Sequence, residues 1–349
     1  MKITAIGMNC FRYPKSHGCE NKANKSALCS KSADIFCFRG NSKLSDKIGI
    51  VSTSSPTDLE KSIEANLNIT PLKSDIKRFK NGEIYVNIPD NVRGKDIYIM
   101  PSGGKGNTIN DDLMEMYLKA DAVKRAGAKR AIAVMPNFAY ARQEKRTEKG
   151  EPIAARLNMD LLRISGVDEL ITADLHTPAI EGCAPNSMPI THLQSLPLMK
   201  EYIQSKNLKD LVVVSPDVGG TKRAENLAKA LGCDKAIVYK HRQAHNQATA
   251  EDLVGNVEGK TCILYDDIID TAGTIAEASK LLDLHGAKEV YVCATHGLFN
   301  GEAMQKLQGA PIKEVIVTNS VPLKTNPISK IKSLDIGNQI ADAMKEISA

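Results

Sequence analysis

Three carboxylates and a run of small residues stand together in Asp266-Asp267-Ile268-Ile269-Asp270-Thr271-Ala272-Gly273-Thr274. The apolar run Cys262 to Tyr265 before them reads as a short buried strand. Behind them, Ile275 to Leu284 carries its apolar residues at helical spacing, and Gly286 supplies the stop. The pattern predicts a strand that ends at carboxylates and a helix that begins on small residues. A helix start exposes unpaired N–H groups and a partial positive charge, so Thr271-Ala272-Gly273-Thr274 can wrap a phosphate dianion closely. Acids beside a phosphate repel it unless they face something else, such as sugar hydroxyls or Mg2+. This order of residues points to a phosphorylated sugar. A solvated loop holding one acid and one glycine does not explain it.

Three further strand ends carry polar groups: Asp174-Leu175-His176, Ser215-Pro216-Asp217 and Thr295-His296. One such ending is ordinary, but four together predict a shared active-site rim. Asp217 is followed by Gly219-Gly220 before a helix; a tight strand–helix turn explains the glycines and leaves the acid unexplained. Lys240 and Arg242 lie two apart just after another strand, where extended backbone puts both side chains on one face. Beyond them the chain is rich in Gln, Ala and Asn, a composition that suits a mobile flap.

The elements that must place these residues alternate. A strand opens at Ile48, a helix follows near Pro56 to Leu67, and residues 75–88 read as strand, Asn81-Gly82 turn and strand. A strand at 96–100, a helix from about Asn110 to Ala126, a strand at 130–136 and a helix ending near Gly166 complete the first half. In the second half, strands at 168–175, 211–217, 236–240, 262–267, 289–296 and 314–320 alternate with helices near Leu196–Ser205, Lys222–Leu231 and Ile275–Leu284. A final helix lies near Ile336–Ile347. Such alternation means parallel sheets with ligands at the strand carboxyl ends.

A chain of 349 residues makes two domains or one large one, and 42% hydrophobic residues with 4% aromatics and no Trp suit aliphatic α/β interiors. No apolar run approaches a membrane span, and the opening MKITAIGMNCFRYPKSHG lacks the apolar core of a secretory signal. The net charge of +5 sits entirely in residues 1–46, which hold eight Lys or Arg against three acids, while the rest balances at 38 against 38. A neutral body argues against a nucleic-acid surface. Cys183, Cys233, Cys262 and Cys293 are scattered without a C-x-x-C pair, as expected of reduced thiols in a cytoplasmic protein rather than a zinc ribbon. The basic leader leaves organellar targeting as the alternative.

From about Ile48 the chain resembles the ribose-phosphate pyrophosphokinases (phosphoribosyl pyrophosphate synthetases). The resemblance is carried by FKNGEIYVNIPDNVRGKDIYI, FAYARQEKR, ITADLHTPAIEG, VVVSPDVGGTKRAENLAKALG, YKHR, LYDDIIDTAGT and CATHGLFNGEA. It implies an α/β protein of two similar phosphoribosyltransferase-like domains, each a mainly parallel sheet flanked by helices, at 47–190 and 191–349. Residues 1–46 fall outside it as a basic, poorly ordered extension. The implied reaction moves the diphosphate of ATP onto the 1-hydroxyl of ribose 5-phosphate, with Mg2+. By the same resemblance Asp266 and Asp267 hold the ribose hydroxyls, and Asp270, Thr271, Ala272, Gly273 and Thr274 hold its 5-phosphate. Asn81, Gly82, Glu83, Arg142, Gln143 and His176 serve ATP, and His176 and Asp217 the metal. Lys240 and Arg242 assist transfer, Arg242 also touching the sugar phosphate. The F-x-x-G-E loop comes from a neighbouring subunit, which implies a homo-oligomer of dimers assembling to a hexamer, with neither nucleic acid nor membrane as partner.

The sequence departs from the family at Asn81 and Glu144, both usually Asp, at His241, often Arg, and in TEKGEP, which lacks the basic S-R-A-P pattern. The last departure argues against allosteric control by phosphate and ADP. A silent regulatory subunit is the alternative reading, and a plain phosphoribosyltransferase ranks third because FKNGE and YARQE have no role there. Charge shifts toward the leaving AMP oxygen during transfer, so Lys240→Ala should lower kcat by about 10²–10³-fold with little change in KM. Arg242→Ala should behave alike, and the pair should lose less than the product of the two. Steady-state kinetics decide it: an unchanged kcat with a raised KM contradicts the assignment.

Overall fold

Short helix α1 (Leu44–Lys47) leads into β1 (Ile48–Val51), and strand and helix then alternate in the computed structural model, which describes residues 43–52, 56–100, 108–241, 250–323 and 327–349. Helix α2 (Asp58–Leu67) starts on a capping box in which Thr57 and Glu60 satisfy each other's backbone N–H. An antiparallel hairpin of β2 (Asp75–Arg78) and β3 (Ile84–Asn87) follows. Then come β4 (Asp96–Ile99), α3 (Ile109–Arg125), β5 (Arg130–Val134), α4 (Ala154–Ile164), β6 (Glu169–Ala173) and β7 (Ile190–Leu193). The first sheet has the order β1-β4-β5-β6-β7, all parallel.

Helix α5 (Leu196–Ser205) carries the chain to the second sheet. There β8 (Leu211–Ser215), α6 (Thr221–Leu231), β9 (Asp234–His241), β10 (Ala250–Val254), β11 (Thr261–Ile269) and α7 (Gly273–Leu284) follow one another. They are succeeded by β12 (Glu289–Gly297), α8 (Ala303–Gly309), β13 (Glu314–Thr318), β14 (Ile331–Leu334) and α9 (Gly337–Ile347). The strand order is β10-β9-β8-β11-β12-β13-β14, parallel except for edge strand β10. Direction reverses between β8 and β11, and a crevice opens outside the carboxyl ends at such a switch point.

Strand order also decides what covers the first sheet. Successive right-handed crossovers in one direction put α3 and α4 on the same face, against Val51, Ile97, Ala131 and Leu170. The opposite face, with Ile50, Tyr98, Ile132 and Ile171, is closed by α2 and by α9, which returns from beyond the second sheet with Ile340 and Met344. Tyr98 donates its hydroxyl to the Met344 carbonyl at 2.8 Å, and Arg130 reaches the Ile347 carbonyl at 2.7 Å. A boundary at residue 190 therefore falls within β7, and α9 packs on the sheet at the far side of that boundary.

The strands and helices expected from periodicity are present, with α1, β7, β10, α8 and β14 in addition, β10 lying in the polar stretch expected to form a flap. Strand β11 does not stop at its carboxylates; it pairs with β12 as far as Ile269–Gly297, passing through Asp266 and Asp267. Partners for those acids, described below, let the ladder continue past them. All four cysteines of the body are free, Cys262 and Cys293 in the core, and burial pushes the Cys262 thiol up to about 12. Among the described residues no helix is long and apolar enough to cross a membrane. Ile340 is 0% exposed, so Ile340→Ala should lower unfolding free energy by about 2–5 kcal/mol in chemical denaturation, and a loss under 1 kcal/mol would show that α9 merely rests on the sheet.

Candidate active site

Both strands of the switch point deliver side chains to it. After β8, Asp217 turns back on its own loop: Oδ1 accepts the Gly220 N–H at 2.9 Å, and Ser215 donates its hydroxyl to the Asp217 carbonyl at 2.6 Å. A Cβ on Gly220 would stand 2.8 Å from Ser215 Oγ, so the turn requires glycine there. The turn starts α6, and Arg223, one residue pair into that helix, reaches β11. Its Nη1 lies 3.1 Å from Asp266 Oδ1 and 3.3 Å from Asp267 Oδ1, and its Nη2 donates to the His176 carbonyl at 3.5 Å. His176 comes from the first sheet and donates from Nδ1 to Asp267 Oδ2 at 2.8 Å. The turn carrying it is held by β7, where His192 Nε2 accepts the Leu175 N–H at 3.0 Å.

Adjacent carboxylates in so enclosed a place cannot both ionise freely. Burial alone would raise Asp267, whose side chain is 5% exposed, but the His176 hydrogen bond and the Arg223 charge outweigh burial and hold it well below the usual carboxylate range. Asp266 moves the other way, raised well above its ordinary value by burial and then by the Asp267 charge, against Arg223. His176 is raised by its bond to Asp267, which outweighs burial, and the Asp267 and Glu144 charges add to it. Glu144, although a departure from the family's Asp, still places negative charge near this ring.

The Asp270–Thr274 turn closes the carboxyl end of β11. Ala272 takes the left-handed conformation at φ 59°, no side chain caps α7, and nothing lies within 4 Å of a Cβ added at Gly273. The first N–H groups of α7 are thus open to an anion. Asp270 receives Arg142 Nη2 on Oδ2 and Asn300 Nδ2 on Oδ1, each at 2.8 Å. A cleft of about 1470 Å³ runs beside this pair, lined among others by Arg78, Arg142, Gln143, His176, Asp267 and Asn300. Asn81, Gly82 and Glu83 sit exposed at the tip of the β2–β3 hairpin, where Glu83 N–H meets Asn81 Oδ1 at 3.2 Å, and do not line the cleft.

The structure thus brings together Asp266, Asp267 and His176, and separately Arg142 and Asp270. No hydrogen bond or ion pair joins Asp217 to His176. Among the described residues no group of three or more His, Cys, Asp or Glu is placed to cage a metal. The expected common rim holds only in part. Asp174 accepts the Ser195 N–H and the Thr295 hydroxyl at 2.9 and 2.6 Å, and buried His296 meets Ala173 O and Ser320 Oγ. Those strand ends tie the sheets together, and Asp174 and His296 also line the cleft. Only the backbone of Lys240 is described, in β9 opposite Glu251 of β10; Arg242 and the expected flap from 242 to 249 lie outside the described residues. Sequence reasoning missed Arg223 and Asn300, each inside a stretch singled out for its neighbours.

A parallel α/β sheet with an uncapped helix start beside paired acids at its switch point is a phosphoribosyltransferase-type architecture, and a solved structure agrees. Phosphoribosylpyrophosphate synthetase from Mycobacterium smegmatis is similar with a TM-score of 0.79 and 36% identity, over 86% of this chain and 98% of that one. Residues 48–166 match the N-terminal domain of ribose phosphate pyrophosphokinase and residues 242–349 the phosphoribosyl synthetase-associated domain. Relatives called ribose-phosphate pyrophosphokinase include that of Bacillus subtilis, 42% identical over 84% of this chain and 92% of its own. That of Bacillus caldolyticus is 41% identical over 91% and 96%. The chain belongs to the ribose-phosphate pyrophosphokinase family.

The His176–Asp267 pair has a defined pH signature. His176 should titrate above about 6.5 by NMR, and Asp267→Asn should bring the midpoint down toward that value. A raised histidine contributes stability that is full below about pH 6.5 and lost as pH rises through its folded value, while a depressed Asp contributes stability present above about pH 3.9 and lost as pH falls through its own. The melting-temperature gap between wild type and variant should be widest between those limits. A wild-type midpoint at or below the ordinary one contradicts the pairing.

Proposed function

We propose that the chain is a ribose-phosphate diphosphokinase, joining the β,γ-diphosphate of ATP to the 1-hydroxyl of ribose 5-phosphate and releasing AMP. The observation that carries this reading is the 2.8 Å Arg142–Asp270 pair, which sets the Tyr140-Ala-Arg-Gln-Glu loop, without a role in a plain phosphoribosyltransferase, against the sugar-phosphate turn. In the reaction the sugar oxygen bonds to the β-phosphorus, the bond from that phosphorus to the bridging oxygen breaks, and AMP leaves with that oxygen. Such transfer demands in-line placement and fixed positive charge more than covalent help.

Asp266 and Asp267 orient the ribose hydroxyls, and the open start of α7 with the bare Gly273 takes the 5-phosphate. Lys240 and Arg242 assist the transfer, as the family resemblance implies. His176, oriented by its tie to Asp267 and with its pKa raised by it, donates to a phosphate oxygen when protonated and, when neutral, offers a lone pair to the metal. Mg2+, when bound, would neutralise charge on the phosphate oxygens. Asp217 would hold it, being exposed and with no partner for Oδ2 among the described residues beyond its bonded Oδ1.

The hairpin tip with Asn81, Gly82 and Glu83 serves a neighbouring subunit's ATP site in a homo-oligomer. Its absence from its own cleft and the exposure of Phe79 (56%) and Tyr85 (41%) beside it support this. A cytoplasmic location accords with the relatives. No observation favours a silent regulatory subunit. Purified protein given ATP, ribose 5-phosphate and Mg2+ should release AMP in step with sugar consumption. ADP would instead mean an ordinary kinase, and no turnover a silent subunit.

A further inference from the structure

We propose that Arg223 is the positioning residue of the site, setting which carboxylate oxygens meet the ribose and how His176 is held, without itself touching either substrate. The assignment rests on the diphosphokinase reading and adds to it a residue role.

The placement of Arg223 is not explained by its own helix. It stands in the first turn of α6, where the helix dipole disfavours a cation and no side chain caps the start. The nearby acid of that helix, Glu225, is paired with Lys222 and Lys229 at 3.3 and 2.8 Å, leaving Arg223 to other elements. Arg223 crosses instead to β11 and to the turn after β6. Its Nη1 is shared between Asp266 Oδ1 and Asp267 Oδ1, while Nη2 meets the His176 carbonyl.

Of the four oxygens on the two acids, three are therefore engaged. Asp266 Oδ1 has Arg223 and the Asp267 N–H, Asp267 Oδ1 has Arg223, and Asp267 Oδ2 has His176. The two carboxyls also meet each other, Asp266 Oδ2 receives no N–H among the described residues, and it becomes the oxygen presented to a sugar hydroxyl. A planar fork can hold two strands' worth of acceptors at once, whereas an ammonium is a single point charge. The side chain is 21% exposed, and the contacts of its two terminal nitrogens face the acids and the His176 carbonyl.

Without it, two neighbouring acids lose their shared cation and turn apart, and Asp267 no longer holds the His176 ring in one place. Arg223→Met should raise KM for ribose 5-phosphate, and its dissociation constant in calorimetry, roughly 10- to 100-fold, as loss of a charged hydrogen bond does. It should lower kcat about tenfold and leave KM for ATP within about threefold. Arg223→Lys should recover less than half of the loss on a logarithmic scale, since it restores charge without the fork. Lys229→Met, on the same helix, should change none of these.

Three results would overturn the proposal: a KM for ATP that rises as much as that for the sugar phosphate, which marks direct phosphate contact; a lower melting temperature with unchanged kinetics, which marks a structural ion pair; or full recovery by Arg223→Lys. If Arg223→Met does not fold, the Arg223→Met/Asp266→Asn pair removes both charges. That pair should bind ribose 5-phosphate no more weakly than Asp266→Asn alone, and additive losses contradict the proposal. Should wild type produce no AMP, the diphosphokinase reading fails by itself, and the calorimetric comparison still decides the part of Arg223.

Discussion

Two acids side by side in a buried strand share a single guanidinium that faces both. Coulomb repulsion between Asp266 and Asp267 is stronger inside the protein than in water. Arg223 must stand opposite β11, so α6 must start at the adjacent strand end, and this places β8 beside β11 at the point where strand order reverses. The tight Ser215–Gly220 turn and its glycine follow from the same need. The second requirement, a partner for the remaining oxygen of Asp267, is met by His176 from the other sheet. The site is thereby a joint between sheets, and its electrostatics depend on their relative placement.

That placement is secured by polar ties buried behind the site. Asp174 gathers the start of α5 and Thr295 of β12, and Ser195 Oγ lies 2.8 Å from Thr295 Oγ1. His296 spans from the Ala173 carbonyl to Ser320, and burial keeps its pKa low, so it stays neutral with one ring nitrogen donating and the other accepting. Buried polar groups that satisfy one another fix a geometry more sharply than apolar packing does. The apolar layers on each side of the second sheet, Val212 and Leu264 toward α7 and Val213 and Ile263 toward α6, provide the bulk of the cohesion.

Hydrophobic period made most of the fold legible, since β8, β11 and β13 are near-continuous aliphatic runs bounded by turns. It missed β7 and β14 because Ile190-Thr-His-Leu and Ile331-Lys-Ser-Leu are edge strands of four residues with only two apolar side chains each, and β10, also at an edge, because its Glu251-Asp252 breaks the apolar run. The acids and the phosphate turn were readable because chemistry and spacing coincide within one local stretch. Arg223 and Asn300 were not, since their meaning lies in partners 43 and 30 residues away. Polar strand ends likewise look the same in sequence whether they line a cleft, as His176 does, knit two sheets, as Thr295 does, or do both, as Asp174 does. Lys240 and Arg242 were singled out by resemblance and by a shared face, and the geometry that would weigh them lies past the described part of β9.

Helix α9 has a consequence for the way the chain acquires its shape. The face of the first sheet bearing Ile50, Tyr98 and Ile132 is complete only when Ile336, Ile340 and Met344 arrive, and a ribosome makes those residues after every strand of the second sheet. Until α9 is made, that aliphatic face is covered by α2 and by Leu198 of α5 but lacks its last helix. The amino-terminal half therefore emerges with part of its roof still missing. It waits, with a sticky surface open to chaperones or to other nascent chains, until the last helix closes it. A gene cut into its two halves would separate a sheet from part of its own roof.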